Sequence, residues 1–275
     1  MKSLLRITDL TRSDVLHIFR LADELAAGQH DRALAGRCVV MFFPAASLRT
    51  RLTFEQGVAR LGGQAVLFPS DALDKREALP DVAGYLGNWC DLIVARHRRQ
   101  EVLEQLASGG IPVVNAMSDL THPCEVLSDL YALSKLRDDY LTARYLFCGC
   151  RGNMGLAWLE AAQVLGFELA QCCPPGQELP GVRVHHDVLA AAPGQDIFCT
   201  DSLPAGLAEA FRPCRVTRDA LALARPGALL NPCPPFFRGE EVAADAIDSP
   251  AFVGYAFKKH LLTVQQAVLL HCLDH

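Results

Sequence analysis

Apolar runs of strand length recur along this chain, each followed by a segment with helical spacing, and this alternation restricts the fold to α/β with parallel sheet. Cys38–Phe43, Gln64–Pro69, Asp91–His97 and Pro112–Met117 read as strands. Helical patterns lie before and between them at Ser13–Ala27, Leu48–Leu61, Pro80–Trp89 and Glu101–Ala107. Strands apolar throughout, rather than at alternate positions, are strands covered on both faces, as in a parallel sheet wrapped by helices. A long helix is predicted from about Cys124 to Arg137, and a second alternation follows. It consists of Ala143–Gly149, a helix over Met154–Leu165, and strands at Glu168–Cys173, Asp196–Asp201 and Ala228–Cys233, with a closing helix at His260–Cys272. The expected architecture is therefore two doubly wound parallel-sheet domains. The boundaries are 1–134 and 135–257, with 258–275 packing back on the first domain. Ligands of such domains bind at the carboxyl ends of the strands, which places the expected site in the cleft between the two.

The chain has 275 residues and a formal net charge of -5, so nothing suggests a basic field for nucleic acid. The eleven cysteines contain no Cys-x-x-Cys pair, which argues against a structural zinc site, and free thiols in this number suit a reducing cytosol. No apolar stretch has the length of a membrane span or the form of a signal peptide, so a cytoplasmic protein with no membrane partner is expected.

The most informative segment is Phe43-Pro-Ala-Ala-Ser47-Leu48-Arg49-Thr50-Arg51, followed by Thr53-Phe54-Glu55. It places two arginines and two hydroxyls where a strand ends and a helix begins. Free N–H groups and the macrodipole already attract anions there, and arginines oppose that dipole unless an anion offsets them. The bland alternative is a capped surface helix with a basic first turn. Arg51 is spaced to pair with Glu55 one helical turn on.

This segment resembles the carbamoyl-phosphate motif of the aspartate and ornithine carbamoyltransferases, and further landmarks follow in that family's order. His122-Pro123-Cys124-Glu125 resembles its His-Pro-x-Gln, and Arg96 matches an arginine at a strand end. Ser70 to Asp81, with Lys75, resembles the mobile loop that a neighbouring subunit lends to the site. Arg151-Gly-Asn153-Met-Gly and Asn231-Pro232-Cys233-Pro234 resemble two motifs of the second domain. The resemblance implies transfer of a carbamoyl group from carbamoyl phosphate to a small amine by a homotrimer, without cofactor or metal. The domain of residues 1–134 would bind carbamoyl phosphate and that of 135–257 the second substrate. It further implies that Ser47, Leu48, Arg49, Thr50, Lys75, Arg96, His122, Glu125, Pro232 and Cys233 bind carbamoyl phosphate. Arg49, Thr50, Arg96 and His122 would be catalytic. Arg151, Asn153, Asp201 and Asn231 would bind the second substrate, and a cis Cys233–Pro234 bond is implied.

Several positions depart from the family pattern. Glu125 stands where a glutamine accepts hydrogen bonds from the carbamoyl amide, adding a negative charge that an arginine or histidine would have to neutralise. Asn231 replaces a histidine, and the Asp-x-x-x-Ser-Met-Gly motif is reduced to Asp201-Ser-Leu-Pro-Ala-Gly206. Phe257-Lys258-Lys259-His260 lacks the arginine of ornithine enzymes and reads as a solvated turn. These departures point to an amine other than ornithine or aspartate. They keep open a same-fold enzyme with altered electrophile or chemistry, and a non-catalytic anion-binding relative.

Other features read more simply. Gly149, Gly152 and Gly155 follow a strand but lack dinucleotide-binding spacing. His185-His186-Asp187 is expected to be a polar loop or a cap at Asp187 rather than a metal cluster. His97, Arg98 and Arg99 read as mostly solvated, and Cys233 lacks the partners of a nucleophile.

Overall fold

In the computed structural model, which describes residues 2–274, the chain divides into two compact units. The first comprises residues 1–132 and 258–275, the second 133–257. The strands in chain order are β1 (Cys38–Phe43), β2 (Gln64–Pro69), β3 (Leu92–Arg96), β4 (Val113–Met117), β5 (Arg144–Cys148), β6 (Glu168–Cys172), β7 (Arg183–His185), β8 (Ile197–Thr200) and β9 (Leu229–Pro232). The longer helices are α1 (Arg12–Ala26), α2 (Arg49–Arg60), α3 (Leu79–Leu86), α4 (Gln100–Ala107), α5 (Pro123–Ser134) and α6 (Asn153–Leu165). Four short ones follow: α7 (Val188–Ala191), α8 (Ala208–Phe211), α9 (Arg218–Leu223) and α10 (Ala244–Ile247). The last is α11 (His260–Cys272).

The first unit holds a parallel sheet in the order β2-β1-β3-β4. Its central strands are continuous apolar runs, and Val39, Met41, Leu92, Ile93, Val94, Val113 and Val114 are completely buried. β-branched and aromatic side chains of this kind suit a pleated strand covered on both faces. Helix α1 starts in a capping box, Thr11 accepting from the Asp14 N–H at 3.1 Å while Asp14 accepts from the Thr11 N–H at 2.9 Å. Helix α11 returns to this unit, with Gln266 donating to the Gly57 carbonyl of α2 at 3.0 Å.

The second unit holds a parallel sheet in the order β7-β6-β5-β8-β9. Phe147 and Phe198 are fully buried within it, and Tyr145, Trp158 and Phe167 form an aromatic cluster with ring centroids 4.4 to 6.5 Å apart. Helix α6 ends at Gly166, whose φ of 82° is the left-handed conformation that closes a helix without a Cβ clash.

Both sheets have a topological switch point, where the chain leaves one strand for one side of the sheet and its neighbour for the other. The switch lies between β1 and β3 in the first unit and between β5 and β8 in the second. Loops diverge at such a point and leave a crevice at the strand ends.

The structure corrects three expectations. His185 lies on a short edge strand, β7, where a loop or cap was predicted, although Asp187 does cap α7 by accepting from the Ala190 N–H at 3.0 Å. The cis bond joins Pro234 to Pro235, so the Cys233–Pro234 bond is not the cis one. His97 is buried, because the β3–α4 turn folds it inward against the Asp74 carboxylate at 3.3 Å, while Arg98 and Arg99 are exposed.

Candidate active site

In the first unit, five of the predicted residues, Ser47, Leu48, Arg49, Thr50 and Arg96, lie at the switch between β1 and β3. Strand β1 ends in the turn Pro44–Ser47, closed by the Ser47 N–H on the Pro44 carbonyl at 2.9 Å, and α2 begins two residues later. The helix has neither a side-chain cap nor an acid in its first turn, so its start keeps donors available to an anion. Ser47 and Thr50 are buried, whereas Leu48 is 73% exposed. Arg51 bonds Glu55 at 2.8 Å, the i,i+4 pair expected from the spacing, so its charge is already matched along the helix.

Arg96 reaches this turn from the adjacent strand. The pairing of β3 with β4 slips between Ala95 and Arg96, and such an irregularity re-aims a side chain at a strand end. The Arg96 guanidinium donates to the Ser47 hydroxyl at 3.2 Å. Burial pulls Arg96 below its ordinary pKa and the nearby Glu125 carboxylate opposes that, which leaves a partly desolvated cation at the site. A cavity of about 840 Å³ opens beside it, lined by Pro44, Ser70, Asp74, Arg96, Met117 and Asp119 among others.

His122 immediately precedes helix α5 and Glu125 lies in its first turn, both buried. Burial lowers the His122 pKa to about 4, outweighing the Glu125 charge, so the imidazole is neutral at neutral pH. Its Nδ1 has no hydrogen-bond partner among the described residues, and its Nε2 stands 4.0 Å from a Glu125 oxygen. A neutral ring can donate one hydrogen bond without adding charge.

The cation that matches Glu125 is Lys258. Its ammonium donates to Glu125 Oε1 at 2.7 Å and to Asp129 Oδ1 at 2.5 Å, with the lysine side chain only 20% exposed. Burial opposes ionisation of Glu125 most strongly, but Lys258, first among the groups that favour it, acts with His122 and Arg49 to hold the carboxyl below its ordinary range. The solvated turn predicted for Lys258 is therefore wrong, because two buried carboxylates one helical turn apart on α5 need a cation and residue 258 supplies it. From sequence, Lys258 stands with Lys259 and His260 only as a substitute for the missing arginine, and Asp129 is not a candidate. The i,i+4 pair of acids on a largely apolar helix was the available signal.

Lys75 does not join this group within its own chain. It follows the 3-10 turn Ser70–Asp74 and lines separate, smaller cavities with Phe42, Phe68 and Leu79, and with Glu101 and Gln105. Asp74 ties that turn to Arg99 at 2.6 Å.

In the second unit, the other candidates fall at the carboxyl ends of three adjacent strands. Arg151 and Asn153 follow β5, Asp201 follows β8, and Asn231 and Pro232 end β9, with Cys233 next after it. The registers Cys148–Thr200 and Thr200–Pro232 set these ends side by side. Arg151 is exposed, Asp201 half-buried, and Asn231, Pro232 and Cys233 buried. The Asn153 side chain accepts from the Met154 N–H at 2.8 Å, and that of Asp201 from the Ser202 N–H at 2.9 Å. The glycines after β5 serve packing. A Cβ on Gly149 would lie 2.5 Å from the Phe147 ring, and one on Gly155 would lie 2.8 Å from it.

Known proteins share this arrangement and its sequence. The family described as "Aspartate/ornithine carbamoyltransferase, carbamoyl-P binding domain" matches residues 2–135. The ornithine carbamoyltransferase of Halorhodospira halophila is 35% identical over 98% of each chain. This chain belongs to the aspartate/ornithine carbamoyltransferase family. That of Chromobacterium violaceum is 33% identical, over 98% of this chain and 96% of its own. Among solved structures, the ornithine carbamoyltransferase of Thermus thermophilus superposes with a TM-score of 0.90 at 30% identity, covering 99% of each chain. The family makes the protein a transferase of carbamoyl groups with an α/β fold of two parallel sheets. Among the described residues no helix is long and apolar enough to cross a membrane.

Proposed function

We propose that this family member transfers the carbamoyl group of carbamoyl phosphate to the amine of a small amino-acid-like substrate. The observation that carries the reading is the Arg96–Ser47 contact at the uncapped start of α2, which sets cationic and hydroxyl donors around one anion-sized position. Ser47, Arg49, Thr50 and the N–H groups near Leu48 hold the phosphate. Arg96, Thr50 and His122 donate to the carbonyl oxygen as negative charge develops on it, and Glu125 accepts from the amide. The neutral amine attacks the carbonyl carbon, the bond from that carbon to the phosphate oxygen breaks, and the phosphate leaves with the proton that the nitrogen sheds. Pro232 and Cys233 contribute backbone groups to the carbamoyl end. Arg151, Asn153, Asp201 and Asn231 bind the second substrate, the Asp201 carboxylate serving an amino group.

In this reading the working form is a homotrimer, each site taking Lys75 from a neighbour. Two features support it. Lys75 lines a separate cavity in its own chain, and the first unit exposes Leu48, Tyr85 and Trp89 at 64 to 73%.

Calorimetric titration with carbamoyl phosphate tests the electrophile, with inorganic phosphate and acetyl phosphate as controls. Binding should be saturable and should weaken by about 10- to 100-fold in Arg49→Ala, the loss expected for one charge-assisted contact. A folded protein that fails to bind carbamoyl phosphate would refute the reading. Product assays would then begin with ornithine, the substrate named for the relatives, and extend to other small amines.

A further inference from the structure

Glu125 places a carboxylate where a dianionic ligand is to bind, and an unmatched carboxylate there would repel it. Every charged or titratable group that the structure sets around Glu125 bears on this. Arg49 approaches from α2, Arg96 from β3, His122 immediately precedes α5, Cys124 and Asp129 lie on that helix with Glu125, and Lys258 comes from the turn before α11. His122 is neutral, and Arg49 and Arg96 are the groups assigned to the ligand. Lys258 is bonded directly to the carboxylate, through Oε1. Glu125 Oε1 accepts from Lys258, while Oε2 lies on the His122 side. Asp129, 1% exposed and one helical turn further along α5, accepts from the same ammonium.

We propose that Lys258 is a positioning residue of the electrophile site: held between Glu125 and Asp129, it keeps the Glu125 carboxylate as an acceptor whose free oxygen receives an N–H of the carbamoyl amide. This deepens the reading of the site as a carbamoyl-phosphate site and rests on it. It explains how glutamate stands at a position where the chemistry calls for a neutral acceptor. The Lys258 ammonium offsets the Glu125 charge next to the ligand position while it is shared with Asp129, and the glutamate is not suited to the site alone. A buried carboxylate deprived of its cation takes up a proton beside the dianion. Its O–H then competes for the place of the amide N–H, and the carbonyl that remains is a weaker acceptor than a carboxylate.

The discriminating measurement is the ratio of dissociation constants for acetyl phosphate and carbamoyl phosphate. The two are nearly isosteric and differ in having a methyl or an amide group next to the carbonyl. Wild type should favour carbamoyl phosphate by about 10-fold or more, the range of one hydrogen bond to a charged acceptor. Lys258→Met should bring the ratio to within about three of unity. Adding Glu125→Gln should restore the preference, because an amide oxygen accepts without a cation beside it. Lys258→Met with Asp129→Asn serves if the single variant fails to fold, since it removes the second carboxylate as well. Inorganic phosphate should bind all folded variants. A Lys258→Met protein with an unchanged ratio would overturn the proposal, as would a Glu125→Gln/Lys258→Met protein no more selective than the single variant. Wild type that binds inorganic phosphate but not carbamoyl phosphate would instead refute the underlying reading. The two failures are thus distinct.

Discussion

His122 shows how one residue's environment sets both its chemistry and its effect on stability. Its pKa falls from 6.5 to about 4 because burial penalises the imidazolium. The unfolded chain therefore binds the proton first as pH drops, so stability is fully present above 6.5 and is lost as pH falls through 4. The loss should approach about 3 kcal/mol at pH 4. Urea unfolding of wild type and His122→Gln at pH 7 and pH 4 isolates the effect, since His271 and His185, also lowered by burial, are common to both proteins. Wild type should lose about 3 kcal/mol more than the variant, and equal losses would show that His122 is not the cause. At this scale, Ser47, Arg49 and Thr50 were readable from sequence because the phosphate site is one contiguous segment. Lys258 was not, because its partners lie 129 and 133 positions away and a lysine near a helix start normally points to solvent.

At the scale of elements, what could be read depended on length. The strands other than β7 and the helices of eight or more residues fall close to their predicted places, because a run of that length displays its period. Helices α7 to α10 have four to six residues, little more than one turn, and β7 has three, too few to show a repeat. The contact of Phe147 with two glycines was also invisible, since it joins a strand to the turn and helix that follow it. Gly149 was weighed as part of a nucleotide loop, whereas its missing side chain makes room for a ring. Gly149→Ala would place a methyl 2.5 Å from Phe147, under any real carbon–carbon contact, in a core that cannot yield freely. It should destabilise the protein by about 1–3 kcal/mol. Gly152→Ala, with only a carbonyl oxygen at 3.9 Å, should cost much less. Thermal denaturation of the pair reads the difference, and equal midpoints would remove the packing argument.

For the whole molecule, the proposed trimer makes a demand that no single chain can meet. Arg49 opens α2 beside the anion position, whereas Lys75 lines another cavity of the same chain, so the two can share a site only if Lys75 is lent to a neighbour. A heterologous ring has each subunit giving to the next and receiving from the one before. Arg49→Ala and Lys75→Ala should each be impaired alone, and each should elute at roughly three times the 29.9 kDa chain mass. Denatured together and refolded at equal amounts, they should regain about a quarter of wild-type activity. That is the share of sites in which an intact Arg49 meets an intact Lys75 from the adjacent chain. Rescue requires exchange of subunits, so mixing without unfolding should yield little of it. Mixed trimers with no recovered activity, while each variant remains folded and trimeric, would mean that Lys75 serves no neighbouring site. The exposed Leu48, Tyr85 and Trp89 would then be an interface that assembles the molecule without completing its chemistry.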